Sequence, residues 1–331
     1  MSMNVIFFGS TSDSVIVLDK LINFPFSEFR LLLSAIVTPP PTPVGRKKII
    51  TPTPVEIWAK ERNIPVLSFK SDPEKPWLFQ NEEDVTNTLS TFKPDLLISA
   101  CYGVKIPQQI VKKAKFKGLN IHPSLLPRWR GADPVPWTIL SGNEQAGITV
   151  VTMSEQFDRG KIISQKKIQV TDKDLPDPLR RTLFTYGADL LISSLPDYLS
   201  GKNKGVNQKS EHAIYARRLT RSDGFIPWDH LQTAMEEGTS VLCPLPSAIT
   251  RAIRALSPWP GVWTTIPLSF LRKQESFHHT LDPRVKPEDE KKEKRLKIIK
   301  AHVENEKLIL DTVQLEGKNP VTWLEFEKAY L

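Results

Sequence analysis

Three residues of the sequence have types and positions that suit the transfer of an acyl-type carbon to an amine. Asn120 and His122 stand two residues apart in GLNIHPSLLPRWRG, residues 118–131, and in a β-strand residues i and i+2 point to the same side. A neutral imidazole accepts a proton near physiological pH, and an Asn amide donates a hydrogen bond to a developing oxyanion. An imidazole base needs a carboxylate to orient it, and Asp158, in EQFDRG between two predicted strands, is the best candidate.

This set favours direct attack of an amine on an activated donor. The amine must lose a proton as it attacks, and the carbonyl oxygen gains charge. The sequence contains neither the nucleophile elbow G-x-S-x-G nor the zinc motif H-E-x-x-H, so a covalent enzyme intermediate is disfavoured. On residue types alone, a structural His and an Asp in a turn explain the same pattern equally well.

The elements that must position these residues follow from the apolar pattern. Short apolar runs, NVIFFG, LLLSAIVT and PDLLISACYG, alternate with helix-like segments such as TPVEIWAKERN. This alternation predicts an α/β fold, with a mostly parallel twisted sheet and flanking helices. The first turn, GSTSDS, is not G-x-G-x-x-G, so a dinucleotide-binding site lacks its fingerprint. Sites in such folds form at strand ends.

The length of 331 residues suggests about two domains. We predict a catalytic domain over residues 1–200, a polar linker over 201–213 and a second domain over 214–331. In the second domain, KRLKIIKAHV and KLILDTVQLE alternate apolar and polar residues and predict strands of a small, OB-like and possibly truncated β-barrel. A densely charged segment at about 267–294 separates two predicted strands. We interpret it as an insertion without a catalytic role, because surface loop tips tolerate added residues.

The charge distribution leaves two interpretations open. The net charge is +8, and basic clusters such as Arg46-Lys47-Lys48 and Arg217-Arg218 occur in both halves of the chain. Scattered solvated surfaces would explain them, and so would a nucleic-acid ligand that spans both halves. The first of these clusters lies in the proline-rich TPPPTPVGRKKIITPTP. That composition excludes a helix or a central strand and predicts an exposed loop with a basic tip.

The remaining composition favours a cytoplasmic protein. No apolar run reaches the ~18–20 residues of a membrane helix, and MSMNVIFFGS has none of the features of a signal peptide. Cys101 and Cys243 are too few and too far apart for a disulfide framework or a zinc site. We therefore expect no membrane association and no metal.

The pattern N-x-H-x-S-L-L-P, followed by R-G and by the turn with Asp158, resembles the folate-dependent formyltransferase family. Further segments resemble, in order, the branch of that family that acts on methionyl-tRNA: GRKK, TPTPVEIWAKERNIPV, PDLLISACYG, IRALSPWPGVWTT, KRLKI and VQLEGKNPV. The resemblance covers nearly the whole chain except the insertion. It is specific, because formyltransferases that act on small molecules do not share the C-terminal segments.

The resemblance implies that 10-formyltetrahydrofolate donates a formyl group to the α-amino group of methionyl-initiator tRNA. We also expect the protein to act as a monomer. The resemblance implies catalytic roles for Asn120, His122 and Asp158. The residues expected at the folate site are Ser124, Leu125, Leu126 and Pro127, joined by Tyr102 and Gly103 at a strand end. The residues expected to contact tRNA are Arg46, Lys47, Lys48, Arg217 and Arg218.

Two alternatives remain at this stage. A formyltransferase acting on an amino-sugar nucleotide or another small amine would use the same three catalytic residue types. A non-catalytic RNA-binding protein would explain why the turn MSEQFDRG departs from the family's usual pattern. It would bind tRNA in a salt-sensitive manner without binding folate.

Overall fold

The computed structural model describes residues 2–45, 47–237, 246–267 and 293–331. The chain forms two compact units. The first comprises Met1–Val135, Glu144–Val170 and Asp177–Arg217, and the second comprises Pro136–Asn143, Thr171–Pro176 and Arg218–Leu331. The domain boundaries predicted at 200 and 214 stay predictions. Lys47, Lys48 and Arg217 belong to the first unit, whereas Arg218 begins the last segment of the second.

The first unit alternates strands and helices. Its strands are β1 (Ser2–Gly9), β2 (Arg30–Val37), β3 (Thr42–Val44), β4 (Ile49–Thr51), β5 (Val66–Leu67), β6 (Leu96–Ala100), β7 (Gly118–His122), β8 (Arg130–Gly131), β9 (Gln145–Thr152), β10 (Ile162–Gln169) and β11 (Tyr215–Ala216). The helices up to Leu199 are α1 (Ser12–Asn23), α2 (Pro54–Lys60), α3 (Glu82–Ser90), α4 (Gln108–Lys113), α5 (Pro134–Leu140) and α6 (Pro176–Leu199). Most of α5 belongs to the segment Pro136–Asn143 of the second unit.

Seven of these strands form one sheet, in the order β10-β9-β7-β6-β1-β2-β5. The neighbours from β7 to β5 are parallel, whereas β9 is antiparallel to both β7 and β10. The predicted α/β class with a mostly parallel sheet is therefore confirmed. Strand β7 lies inside the sheet, between β6 and β9, so its backbone hydrogen-bonding groups pair on both sides.

Helices cover the sheet because its strands carry apolar residues towards both sides. All five residues of β6 are buried, as expected for a strand with both faces covered. Helix α6 approaches β7 closely at Gly187, where a Cβ would lie 2.7 Å from Cγ2 of Ile121. Among the described helices, none has the length and apolar character needed to span a membrane.

The proline-rich segment corrects one expectation. It forms a short antiparallel hairpin of β3 and β4, in which Pro43 pairs with Ile50, where the sequence predicts an exposed loop. The hairpin is a separate two-stranded sheet, so Pro43 interrupts no central ladder. Every described residue from the start of β3 to the end of β4 is exposed, including Lys47 and Lys48 at the tip. Arg46 lies outside the described residues.

The second unit contains an antiparallel sheet with pairing in the line β12-β13-β14-β15. Its strands are β12 (Val262–Pro267), β13 (Glu293–Glu304), β14 (Lys307–Leu315) and β15 (Val321–Thr322), and its helices are α7 (Trp228–Glu236), α8 (Pro246–Ala255) and α9 (Trp323–Tyr330). Buried apolar residues of α7, α8, α9 and the strands share one core. The antiparallel strands predicted for this region are confirmed.

The charged segment predicted as an insertion lies mostly outside the described residues. Its predicted ends need correction, because residue 267 still belongs to β12 and residues 293 and 294 already belong to β13. These two strands pair directly, with Val262 opposite Ile298. The interpretation of 268–292 as an insertion stays a prediction.

Candidate active site

Strand β7 carries Asn120 and His122 at its carboxyl end. In the sheet Asn120 pairs with Ser99 of β6 and with Val151 of β9, and His122 pairs with Thr149. Asn120 is half-buried, and only 5% of His122 is exposed. Because both residues lie in one regular strand, their side chains project to the same side, as the sequence predicts.

Both ring nitrogens of His122 face oxygen atoms. Nδ1 lies 3.4 Å from Oδ1 of Asp158, and Nε2 lies 2.8 Å from the carbonyl oxygen of Trp129. A carbonyl oxygen only accepts hydrogen bonds, so the contact with Trp129 requires a hydrogen on Nε2. A ring with hydrogens on both nitrogens satisfies both contacts, whereas a neutral ring satisfies one. The arrangement therefore places the His122 ring between the Asp158 carboxylate and the Trp129 carbonyl.

Asp158 lies in the connection between β9 and β10, 27 residues beyond Gly131. Its backbone has a φ of +57°, a conformation that non-glycine residues rarely adopt. The side chain is 8% exposed, and Oδ2 accepts a hydrogen bond of 2.9 Å from the backbone N–H of Gly131. The backbone oxygen of Asp158 accepts a bond of 2.7 Å from Nε2 of Gln208. Both ends of the residue are thus held by other segments.

The segment of residues 124–127 follows His122 and is fixed by two polar side chains of neighbouring strands. The hydroxyl of Thr149 donates to the carbonyl of Ser124 at 2.6 Å and accepts from the N–H of Leu126 at 3.3 Å. Nε2 of Gln165 donates to the carbonyl of Leu126 at 2.8 Å and to the Thr149 hydroxyl at 2.9 Å. These bonds give the segment a defined backbone position.

The side chains of this segment divide into internal and partly exposed ones. Ser124 is buried, and its hydroxyl donates to the carbonyl of Arg128 at 2.7 Å, so it stabilises the turn itself. Leu126 is buried as well, whereas Leu125 and Pro127 are half-buried. Any ligand contact from this segment would therefore come chiefly from Leu125, Pro127 and the peptide groups.

Tyr102 and Gly103 follow β6, the parallel neighbour of β7, at the same edge of the sheet. The Tyr102 ring packs against Phe8 and Phe79, with centroids 5.4 Å and 6.2 Å away. Its hydroxyl is buried and has no hydrogen-bond partner among the described residues, and burial raises the pKa of this phenol well above its usual range. Gly103 is exposed, and nothing lies within 4 Å of the position where its Cβ would stand.

Four of the five basic residues predicted to contact tRNA are described in the structure, and all four are exposed. Lys47 and Lys48 are exposed at the tip of the β3–β4 hairpin. Arg217 and Arg218 are exposed and directly follow β11. The structure thus brings His122 and Asp158 into contact, with Asn120 on the same strand as His122, and places Lys47, Lys48, Arg217 and Arg218 on exposed segments.

The model of the family described as formyl transferase matches residues 3–195 of the chain. The chain belongs to the formyl transferase family. A curated methionyl-tRNA formyltransferase of Listeria welshimeri serovar 6b is 36% identical over 262 residues, which cover 79% of this chain and 75% of the relative. The methionyl-tRNA formyltransferase of Enterococcus faecalis is 34% identical over 261 residues, with the same coverage of 79% and 75%.

Solved structures with low sequence identity share the formyl transferase fold. A 4-N formyltransferase from Francisella tularensis has a TM-score of 0.55 and 18% identity, over 79% of this chain and 92% of that protein. HypX from Aquifex aeolicus in complex with tetrahydrofolic acid has a TM-score of 0.53 and 15% identity, over 98% of this chain and 46% of HypX. This chain therefore corresponds to less than half of HypX, and both likenesses concern the fold alone.

Three residues around the turn of Asp158 have no role assigned to them in the sequence-based predictions. Arg130 stands in the basic run RWRG, yet it is only 2% exposed. Gly131 holds the carboxylate of Asp158, and Gln208 lies within the predicted linker. The sequence offers one signal for Gly131, which is a glycine directly after the basic run RWR. Neither composition nor spacing marks an arginine as buried or a glutamine as its partner.

Proposed function

We propose that this chain transfers the formyl group of 10-formyltetrahydrofolate to the α-amino group of methionyl-initiator tRNA. The family membership supports formyl transfer, and the relatives named methionyl-tRNA formyltransferase support this acceptor. The observation that carries the proposal is the contact of 3.4 Å between Nδ1 of His122 and Oδ1 of Asp158. Asn120 stands two residues away on the same strand.

In the proposed reaction the amine nitrogen bonds to the formyl carbon, and the bond between that carbon and the donor nitrogen then breaks. The attacking amine loses a proton, which we assign to the His122–Asp158 pair, and the departing nitrogen regains one from the same pair. The Asn120 amide donates a hydrogen bond to the formyl oxygen as charge develops there. Nε2 of His122 can face the substrates only when its contact with the Trp129 carbonyl opens.

The folate donor would supply the formyl carbon, and the end of β6 offers features that fit it. The Tyr102 hydroxyl is a buried polar group without a partner among the described residues, and the space beside Gly103 is open. A flat polar heterocycle could satisfy an unpaired hydroxyl and occupy open space. In this proposal Leu125 and Pro127 contribute apolar surface, and residues 124–127 contribute fixed peptide groups.

Exposed basic side chains support a tRNA acceptor. Lys47 and Lys48 stand on the hairpin tip, Arg217 and Arg218 follow β11, and Arg46 is proposed to join the first pair. Lysine and arginine bind a phosphate backbone largely through charge, which agrees with the net charge of +8. A tRNA substrate implies that the protein acts in the cytoplasm, and we propose that it does so as a monomer.

One assay tests the proposal against its alternatives. Purified full-length protein is mixed with 10-formyltetrahydrofolate and either charged initiator tRNA, charged elongator methionyl-tRNA or a nucleotide-linked amino sugar, and products are identified by mass spectrometry. We expect formyl-methionine on initiator tRNA. Formylation of the sugar alone would support the small-amine alternative. Salt-sensitive tRNA binding without folate binding or transfer would support the RNA-binding alternative.

A double variant tests the role of the hairpin. We expect Lys47→Gln with Lys48→Gln to raise the KM for tRNA and to leave kcat nearly unchanged, because these side chains have no assigned role in the chemical step. The slope of log KM against log salt should fall by about 0.7–0.9 per lost phosphate contact. The matched control is Lys202→Gln with Lys204→Gln, which removes the same charge from another exposed segment. Equal effects of both double variants would show that only the total charge matters.

A further inference from the structure

Gln208 forms hydrogen bonds with both ends of its amide group. Oε1 accepts from Nε and Nη2 of Arg130, at 3.1 Å and 2.7 Å. Nε2 donates to the backbone oxygens of Asp158 and Gly160, each at 2.7 Å. A guanidinium only donates and a carbonyl oxygen only accepts, so these four partners fix the orientation of the amide. Gln208 therefore connects a buried arginine to the turn that carries Asp158.

The Arg130 end of this connection is anchored firmly. Arg130 is 2% exposed, and β8 pairs with β11 through Arg130 opposite Tyr215 and Gly131 opposite Ala216. A buried guanidinium requires hydrogen-bond acceptors, and leaving it without them is costly. The oxygen of Gln208 supplies that acceptor for two of its nitrogens. Gln208 is thus held in place by the same short strand pair that positions Gly131.

The Asp158 end needs such support. A non-glycine residue with a φ of +57° persists only where its surroundings impose that conformation. Gln208 holds the two carbonyl groups on either side of Arg159, and the N–H of Gly131 holds Oδ2 of the Asp158 carboxylate. The second oxygen of that carboxylate then lies 3.4 Å from Nδ1 of His122. Backbone support and carboxylate orientation come from one connected group.

We propose that Gln208 is a positioning residue, which sets the place of the Asp158 carboxylate beside His122 by holding the turn from the Arg130 side. The inference rests on the proposed function, in which the Asp158 carboxylate orients the His122 imidazole and stabilises its protonated form. No other single side chain type meets both demands at this length. Glutamate retains the acceptor for Arg130 but loses both hydrogens that hold the turn, and methionine loses both functions.

The test uses the full chain with Gln208→Glu, which keeps an acceptor for Arg130 and so favours folding. We expect kcat for formyl transfer to fall about 10- to 100-fold, because small displacements of a catalytic group have effects of this size. The KM values for tRNA and folate should stay within about twofold, since no binding contact is removed.

Asn203→Asp is the matched control. It makes the same amide-to-carboxylate change nearby, where Asn203 donates to the Ile163 carbonyl at 3.1 Å and accepts from Gly205 at 3.0 Å. We expect it to leave kcat unchanged.

A double-variant comparison separates positioning from general structural support. In an Asp158→Ala background, Gln208→Glu should change kcat by less than about twofold, because the group through which it acts is already gone. Losses that multiply independently in the double variant would overturn the proposal. So would an effect of Gln208→Glu on KM alone, or an equal loss in Asn203→Asp.

A crystal structure of Gln208→Glu gives a readout that does not depend on activity. We expect Oδ1 of Asp158 to lie farther from Nδ1 of His122 than the 3.4 Å of the parent protein, and an unchanged distance would overturn the proposal. If the parent protein formylates nothing, the proposed function fails while this structural result still decides the positioning role. Gln208→Met is the second variant. If neither variant folds, Gln208 is a general structural residue and the proposal is wrong.

Discussion

The two halves of the candidate site are positioned by different kinds of structure. His122 and Asn120 lie in β7, whose backbone pairs with a strand on each side. Asp158 lies in the connection between β9 and β10, where a positive φ is supported by the side chain of Gln208 and by the N–H of Gly131. The first half depends on a repeating ladder, and the second depends on a few individual contacts. We therefore expect the connection to respond more sharply to single substitutions outside the reacting groups.

The first prediction removes the imidazole of the half that lies in β7, which contacts the carboxylate of the other half. His122→Ala should lower kcat about 10³-fold, since general acid–base groups contribute roughly 10²- to 10⁴-fold. The measurement is the initial rate of formyl-methionyl-tRNA formation, with the melting temperature as a check on folding. The control is His212→Ala, which removes an exposed imidazole whose Nε2 lies 3.8 Å from a carboxylate oxygen of Glu211. A loss below tenfold in His122→Ala would contradict its assigned role.

The second prediction addresses the charge carried by the connection. Asp158→Asn should lower kcat about 10²-fold, because an amide lacks the negative charge that stabilises the protonated imidazole. An Asn side chain can still accept from the N–H of Gly131, so the turn should be retained. Rates of Asp158→Asn and Asp158→Ala, measured side by side, separate loss of charge from loss of that bond. Near-normal turnover in Asp158→Asn would mean that charge is unimportant here.

The third prediction concerns the point where the two halves meet. Gly131 has a φ of +112°, and a Cβ there would lie 2.6 Å from the backbone oxygen of Ala216. Gly131→Ala should therefore lower the free energy of unfolding by about 3 kcal/mol and reduce kcat as well. The control is Gly201→Ala. Gly201 also has a positive φ, of +77°, but nothing lies within 4 Å of its Cβ position. This substitution should cost about 1 kcal/mol. Urea unfolding measures both, and equal losses would rule out the steric cause.

The fourth prediction examines another strand end beside β7. Cys101 follows β6, and burial raises the pKa of its thiol to about 12. At pH 8 the native thiol stays protonated, so alkylation should be about 10²-fold slower than in the urea-unfolded chain. Mass spectrometry of the peptide that contains Cys101 measures this. Fast native alkylation would show that this strand end opens readily to solvent.

The same shift gives a pH dependence of stability. The ordinary pKa of the thiol is 9.0, so the unfolded chain loses this proton first as the pH rises. The stability linked to the protonated thiol is full below pH 9.0 and declines as the pH approaches about 12. Cys101→Ala should remove this part of the decline. Identical pH profiles for both proteins would refute the assignment.

Sequence patterns predicted the half of the site that lies in β7, with Asn120 and His122, because strand geometry repeats. The i, i+2 spacing of Asn120 and His122 is enough to place both on one side of β7, and apolar runs are enough to predict the sheet around them. Asp158 was accessible as a turn carboxylate between two strands. The hydrogen bonds from Gly131 and Gln208 that hold Asp158 could not be predicted, because they join segments that are far apart in the chain. The β3–β4 hairpin was not predicted because proline argues against a central strand, whereas an isolated two-stranded sheet tolerates it.

The contact between Nε2 of His122 and the Trp129 carbonyl determines when the imidazole loses its rotational entropy. With both nitrogens engaged, rotation of the imidazole about its side-chain bonds is restricted before any substrate arrives. The ring therefore loses its rotational freedom when the protein folds, and not during the encounter with substrates. When substrates arrive, Nε2 exchanges the backbone oxygen of Trp129 for a reacting atom, and it must lose its hydrogen before it can accept the proton of the amine.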